Sequence, residues 1–533
     1  MIRQLWIFAR GVAHPVAALV AVLVCSFDPA AAGLPVQPDP VLEAKVDSLV
    51  RAAVDHAFAG RLDLGLRAVD VAQQIAPRDP RIGLTRFRLL RENYPVGVFE
   101  KERARKQEPA LIRELEHSIA ICDSMLELDK ENAAAYLYRG WAYMNKAQTQ
   151  LIARRLRAAA GSSRHGKGDF DRFYEYHPDG DPDAATVLGA FLFYADTLPG
   201  FFKFIRWLVR VPGGDRERGL ELLEEGAAGR GYTYPDAMLV LAVTYYLFDG
   251  NLEDSSRMLG DAVARYPRHP WVVEYSCSMS YLFPEITGQA ISYESNLLDG
   301  WNDTTRGWAE TVRYRLRWSL GRHYQQLGDY DAALEQMSTI VLESPADPFW
   351  IAPNTQLTAI ELAGNLGRAH DVTWLCEKIP DEDRYEENKK AFESACSSVA
   401  TGERAQAYAD LGPVRTALYS GNSEEAARLL QETVGRYGED IQTRYMAAEI
   451  ARQLGRLDEA AVLYTRVAAD AQEGGHRALL VQSLIRSGEI YIHYGDYGAA
   501  KDAYEVAGDA EPESTMLANF IRGRIRYIER QKD

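Results

Sequence analysis

Cysteine is scarce in this chain. There are five in 533 residues, and none stands in a CxxC or other metal-ligand spacing, so neither a cysteine zinc site nor a dithiol redox motif is encoded. The ten histidines include no HxxxH or HExxH pair, which removes the usual helical zinc signature. A GxSxG nucleophile elbow is absent, and the glycines at 213–214 and 226–231 lack the strand and lysine of a phosphate loop. Long apolar runs are missing except one, Val16–Val24, which is too short to span a bilayer comfortably. These absences leave an enzyme with a dispersed site as a remote third reading, with no metal and no cofactor expected. Positive charge is in deficit too: 60 basic residues face 76 acidic ones, a net −16. A surface with that excess repels phosphate backbones, so no nucleic-acid partner is expected. Solubility alone accounts for the acidity equally well.

Globular matter is present, with 47% hydrophobic and 26% charged residues, which sets disorder aside. The N-terminus carries basic Arg3 and Arg10, then the Val16–Val24 run, then Ala30-Ala31-Ala32. This is the pattern of a secretory signal over residues 1–32, followed by a Pro-rich linker at 33–40. The expectation is an exported protein, periplasmic or associated with the outer membrane, with a retained anchor as the alternative. Cys25 follows Val24, and a lipid-modified cysteine wants a small residue there, which disfavours lipidation. Of the remaining cysteines, Cys122 and Cys277 lie on apolar helical stretches and read as core residues. Cys376 and Cys396 fall on consecutive helices, close enough for a disulfide in an oxidising compartment.

One pattern recurs. It reads Leu484-x-x-Ser487-Gly488-x-x-Tyr491, Gly495-Asp496-Tyr497, Ala500, Tyr504, Ala507 and Pro512, and again Leu320-Gly321-x-x-Tyr324, Gly328-Asp329-Tyr330, Ala333, Met337 and Pro345. Small residues sit where two helices must approach, and tyrosines fill the space between units. Proline follows each second helix, where a donor is dispensable. On these residues the chain resembles the tetratricopeptide-repeat superfamily over most of its length. The resemblance implies an all-α fold, a right-handed solenoid of helix–turn–helix units that binds other chains. A second, local resemblance at 196–228 (Asp196–Ile205 and Gly213–Ala227) is to exported bacterial tetratricopeptide proteins and to those of the inclusion-body-clearance type. It implies no catalytic or ligand residues.

The spacing predicts a divergent N-terminal block at 41–298 and a second block at 306–533 that ends in a capping helix. Repeats are expected at 46–79, 236–267, 314–347, 407–440 and 441–474, with a hinge near 299–313. The stretch 154–183 is the least repeat-like. Its Arg154, Arg155, Arg157, Arg164 and Lys167 run into glycine-rich 161–171, which reads as a helix end and exposed loop, or as a basic docking site for an anionic partner. Asp179-Gly180-Asp181-Pro182-Asp183 imitates the start of a calcium loop but lacks the glycine and glutamate that should follow, so a polar inter-helix loop is expected.

Two places invite a functional reading. Phe201, Phe202, Phe204, Ile205, Trp207, Leu208 and Val209 alternate with Lys203, Arg206 and Arg210, either a core helix with snorkelling cations or an interfacial membrane helix. The residues that matter most in the second case are Phe201, Phe202, Trp207 and Arg210. The superfamily's groove frame, carried onto this chain, implies that Arg315, Trp318, Arg322, Tyr408, Arg415, Tyr419, Tyr445 and Arg452 line a concave surface, with Gln325, Gln326, Gln442, Glu449, Gln482, Glu489 and His493 beside them. Tyr, Trp and Arg dominate binding hot spots. The expected function is therefore an exported scaffold that holds a protein or peptide in its groove, in envelope assembly or secretion. The alternative is a membrane-apposed envelope component using helix 201–210. Oligomeric state is left open.

Overall fold

The structure is a computed structural model that describes residues 40–59, 61–93, 101–197, 213–229, 231–267, 269, 272, 275–276, 287–300, 310–343, 351–379, 389–474, 476–510 and 515–532. The signal segment, the linker up to residue 39 and the 299–313 hinge (from residue 301 to 309) lie outside the described residues. Among those described, every regular element is helical. The chain divides into two compact units, one ending at Val272 and one containing Thr287–Asp299 and everything from Glu310. The helix at Thr287–Asp299, which the spacing assigns to the N-terminal block, packs on Glu310–Leu327 and goes with the second unit.

The first unit contains α1 (Pro40–Phe58), α2 (Leu62–Ile75), α3 (Pro80–Asn93), α4 (Lys101–Leu128), α5 (Ala133–Ile152), α6 (Leu156–Tyr176), α7 (Pro182–Thr197), α8 (Arg216–Ala228), α9 (Tyr234–Thr244) and α10 (Leu252–Arg265). The first repeat appears where the spacing puts it, as α1 and α2. The 154–183 stretch differs from its expectation: it is largely α6, a 21-residue helix. Its glycines serve contact, since a Cβ on Gly166 would stand 2.9 Å from the Gly140 carbonyl oxygen of α5. Asp169 on the same face accepts from Arg139, with Nη2–Oδ1 at 2.6 Å. Arg155 pairs with Glu108 at 2.5 Å and Lys167 with Asp171, so these members of the basic cluster are satisfied within the fold. In the calcium-like pentad, Asp181 caps α7 by accepting from the N–H groups of Asp183 and Ala184, and Pro182 is the first helical residue.

Asp183 is buried and accepts from the Thr233 backbone N–H and hydroxyl at 2.7 and 2.6 Å. Burial, with Asp181 nearby, pushes its carboxyl up to about 7. A raised carboxyl favours the protonated form in the fold, so this contribution is full below the unfolded value near 4 and is lost as pH rises through 7. Asp183→Asn should therefore flatten the fall in unfolding free energy between pH 5 and 8, measured by urea titration at each pH. An unchanged slope would remove Asp183 as its source.

The repeat expected at 236–267 is present as α9 and α10, but α9 is not an ordinary solenoid helix. Every residue from Pro235 to Asp249 is buried, including a five-residue π turn at Tyr245–Asp249. A helix apolar on all sides needs cover on all sides; α7, α8 and α10 pack on it, and side chains of the N-terminal helices add to that cover. The Arg88 guanidinium of α3 meets Asp236 at 2.7 and 2.9 Å. Phe58 of α1 stacks on His269 with centroids 4.1 Å apart, and Arg51 lies 3.8 Å over the Tyr232 ring. The Tyr266 hydroxyl reaches Asp55 at 3.3 Å. These contacts bring the two ends of the first unit together.

The second unit runs through α11 (Thr287–Asp299), α12 (Glu310–Leu327), α13 (Tyr330–Glu343), α14 (Ile351–Asn365), α15 (Ala369–Glu377), α16 (Lys389–Ser397), α17 (Gly402–Tyr419), α18 (Ser423–Tyr437), α19 (Ile441–Gln453), α20 (Leu457–Gly474), α21 (Arg477–His493), α22 (Tyr497–Ala510) and α23 (Thr515–Lys532). The repeats at 314–347, 407–440 and 441–474 appear as α12–α13, α17–α18 and α19–α20. The motif glycine Gly328 has φ +89° and sits against Gly412, whose oxygen a Cβ would meet at 2.3 Å. Only glycine at 328 gives both that backbone and that approach. Cys376 and Cys396 form a disulfide between α15 and α16. Cys122 is buried and free, its thiol pushed up by burial, which makes it inert.

Candidate functional site: the inner helices of the second unit

In the second unit the two helices of a repeat have different surroundings. No residue is fully exposed from Arg313 to Gly328, from Ile441 to Leu454 or from Leu479 to Ile492. The second helices instead carry an open stripe, as at Asp331, Glu335 and Glu343 or Glu424, Arg428 and Glu432. The first helices α12, α19 and α21 are thus held between neighbours over these stretches, whereas α17 also exposes Glu403, Arg404, Gln406, Pro413 and Thr416.

Charge follows the same division. The inner α12 carries Arg313, Arg315, Arg317 and Arg322 against one carboxylate, Glu310, while its partner α13 has Asp331, Glu335 and Glu343 and no basic residue. At the far end α23 has Arg522, Arg524, Arg526, Arg530 and Lys532 against Glu529, while α22 has Lys501 against Asp502, Glu505 and Asp509. At both ends of the second unit arginines thus gather on one helix and carboxylates on its neighbour, whereas α17 balances Arg404 and Arg415 with Glu403 and Asp410.

A ladder of buried polar groups links these helices. Glu449 of α19 is fully buried, and its carboxylate accepts from Tyr464 at 2.6 Å, Tyr445 at 3.2 Å, Arg486 at 3.2 Å and Arg452 at 3.0 Å. Burial opposes its ionisation, but Arg486 and Arg452 outweigh that and hold the carboxyl at about 2. One repeat on, Glu489 accepts from the Tyr504 hydroxyl and from Arg524 Nη2 at 2.6 Å. Near the start of the unit, Glu294 and His323 are both buried, with Oε2–Nδ1 at 3.0 Å, and Ser319 donates to the same carboxylate at 2.8 Å.

The structure sorts the expected groove residues. Arg315, Trp318 and Arg322 on α12, Tyr408 and Arg415 on α17 and Arg452 on α19 are half-buried on inner helices. Tyr419 and Tyr445 are not groove residues of that kind: at 6% and 7% exposure they belong to the core around Met446 and Tyr464. Their size is explained by packing between repeats. His493 is exposed at the helix end, whereas Gln442, Gln482 and Glu489 remain half-buried. Phe201, Phe202, Trp207 and Arg210 lie outside the described residues. Sequence reasoning missed Tyr464, Arg486 and the Glu294–His323 pair. The register of 415, 449 and 489 with the turn glycines 421, 455 and 495 was the signal that could have found the ladder.

Among the described residues no cluster of His, Cys, Asp and Glu could hold a metal ion, and no helix is long and apolar enough to cross a membrane. Neither a family model nor a curated protein matches the chain. Solved structures do. Human IFIT1 bound to m7Gppp-AAAA is similar at 12% identity over 85% of this chain and 98% of that one, with a TM-score of 0.30. The TPR domain of P58(IPK) is similar at 12% identity over 81% and 99%, with a TM-score of 0.21. At such scores no ligand carries over. The stacked helical hairpins and their glycine–tyrosine frame define the class: this is an all-α helical-repeat protein resembling the tetratricopeptide type.

Proposed function

We infer that the protein is an exported, non-enzymatic scaffold and that the inner face of its second unit holds a protein or peptide partner, in envelope assembly or secretion. The observation that supports this most directly is the concentration of half-buried arginine, tyrosine and glutamine on first helices whose outer partners are acidic. Export is supported by the 1–32 pattern and by the Cys376–Cys396 disulfide, a bond that persists in oxidising compartments. N-terminal sequencing should find a mature start near Gly33, and a start at Met1 in the membrane fraction would overturn cleavage in favour of a retained anchor.

Because Tyr445 is core, the groove is tested at Arg322 and Tyr408. The double change to alanine should weaken capture of partners from envelope extract by ~2 kcal/mol or more if both are hot spots, read as bait concentration at half-recovery. Recovery equal to wild type would sink the inner-face reading.

A further inference from the structure

One repeat register, six residues before each turn glycine, holds Arg322, Glu361, Arg415, Glu449 and Glu489, and the last three of these positions differ in how their charge is met. Positions 415, 449 and 489 share one repeat register, spaced like the turn glycines Gly421, Gly455 and Gly495. At 449 and 489 a carboxylate meets guanidinium and phenol groups. At 415 the residue is arginine, and its polar surroundings are the phenols of Tyr330, Tyr408, Tyr419 and Tyr445. Burial raises Tyr330 to about 12 and also raises Tyr419 and Tyr445, so these neighbours are neutral at neutral pH. Arg415 makes one long hydrogen bond, 3.4 Å to Gln442, and its Nε is buried with no partner. Among the described residues no carboxylate pairs with it. Buried charges are ordinarily paired because a lone one is costly. Among the other inner arginines, Arg452 and Arg486 have Glu449, Arg524 has Glu489 and Arg313 has Glu343, whereas Arg317 of α12 donates to the Gln336 amide at 2.8 Å. Arg415 differs from Arg317 in having a ring of phenols about it and a hydrogen bond of only 3.4 Å.

We propose that Arg415 anchors an anion subsite, and that the inner face takes an extended peptide segment bearing Asp or Glu, one of whose carboxylates completes the ladder at Arg415. This deepens the inner-face reading above and rests on it. A carboxylate matches the guanidinium fork, as Glu449 already does for its own two arginines. The amide of Gln442, beside Arg415, suits the N–H and C=O groups of an extended backbone. A polyphosphate chain is the poorer occupant, because the acidic outer helices and the net −16 oppose its approach.

The test uses the full chain and fluorescence anisotropy with three labelled probes: a decapeptide of alternating Glu and Ser, its Gln-for-Glu counterpart, and a ten-nucleotide single-stranded RNA. The Glu peptide should bind ~10-fold more tightly than the Gln peptide, a difference of about 1.4 kcal/mol. Arg415→Gln should abolish that preference, and Arg466→Gln, an exposed charge on outer helix α20, should not. A structural arginine and a binding one also differ in the free protein. Arg415→Met removes an uncompensated charge, so it should melt at or above the wild-type temperature. Equal binding of both peptides leaves the peptide groove standing and overturns the carboxylate assignment. RNA displacing the Glu peptide at lower concentration overturns it in favour of a phosphate chain. Melting of Arg415→Met lowered by ~5 °C or more makes Arg415 structural and also overturns it. Binding of none of the three probes removes the inner-face reading together with this one.

Discussion

Glu449→Ala should destabilise the second unit by ~3–5 kcal/mol, the cost of removing one partner from a buried ion pair. The change leaves Arg452 and Arg486 facing each other across an emptied site and strips the Tyr464 and Tyr445 hydroxyls of their acceptor. Urea unfolding followed by circular dichroism would read the loss. The pH dependence gives an independent check. Glu449 is held at about 2 against an ordinary 4.5, so its contribution is full above 4.5 and disappears as pH falls towards 2. That window corresponds to about 3 kcal/mol. Wild type should lose stability steeply over this range and Glu449→Ala much less. Parallel acid curves would show that the carboxylate is not what the two arginines stabilise.

The second large effect is expected in the first unit. Asp236→Ala takes the carboxylate from Arg88, which is 2% exposed and lies 4.3 Å over the Phe58 ring. The guanidinium is then buried without that counter-charge, at ~3–5 kcal/mol. The double change Arg88→Leu with Asp236→Leu should recover much of the loss, because apolar groups of similar volume can replace a buried pair at little net cost. A coupling energy near zero in the cycle of Arg88→Leu, Asp236→Leu and their double would mean that the Arg88–Asp236 contact does not hold α3 on α9.

Much of the second unit was legible in its sequence. Gly328, Gly455 and Gly495 mark tight turns, and Tyr504 lies where the gap between stacked hairpins must be filled; Tyr464, in the same register one repeat earlier, became evident only from its place beside Glu449. Residues 161–171 were misread, because glycine signals both a chain break and a close helix contact. Gly166 against Gly140 is the second kind, and only the neighbouring helix reveals it. Tyr419 and Tyr445 were misplaced for a related reason: a tyrosine on a first helix can face the groove or the next repeat, and the helical period does not distinguish neighbours some 100° apart.

The sequence by itself determined the helical class, the repeat period, the turn positions and the acidic balance, since each is written in local spacing or composition. Tertiary structure decided the rest. It brought Arg88 of α3, some 150 residues away in sequence, onto Asp236 at the start of α9. It divided charge between inner and outer helices, and brought Arg486 of α21 to Glu449 and Arg524 of α23 to Glu489 while giving Arg415 no carboxylate. The reason is physical: a period records which face a residue lies on, whereas the compensation of a buried charge depends on what the rest of the chain brings against that face.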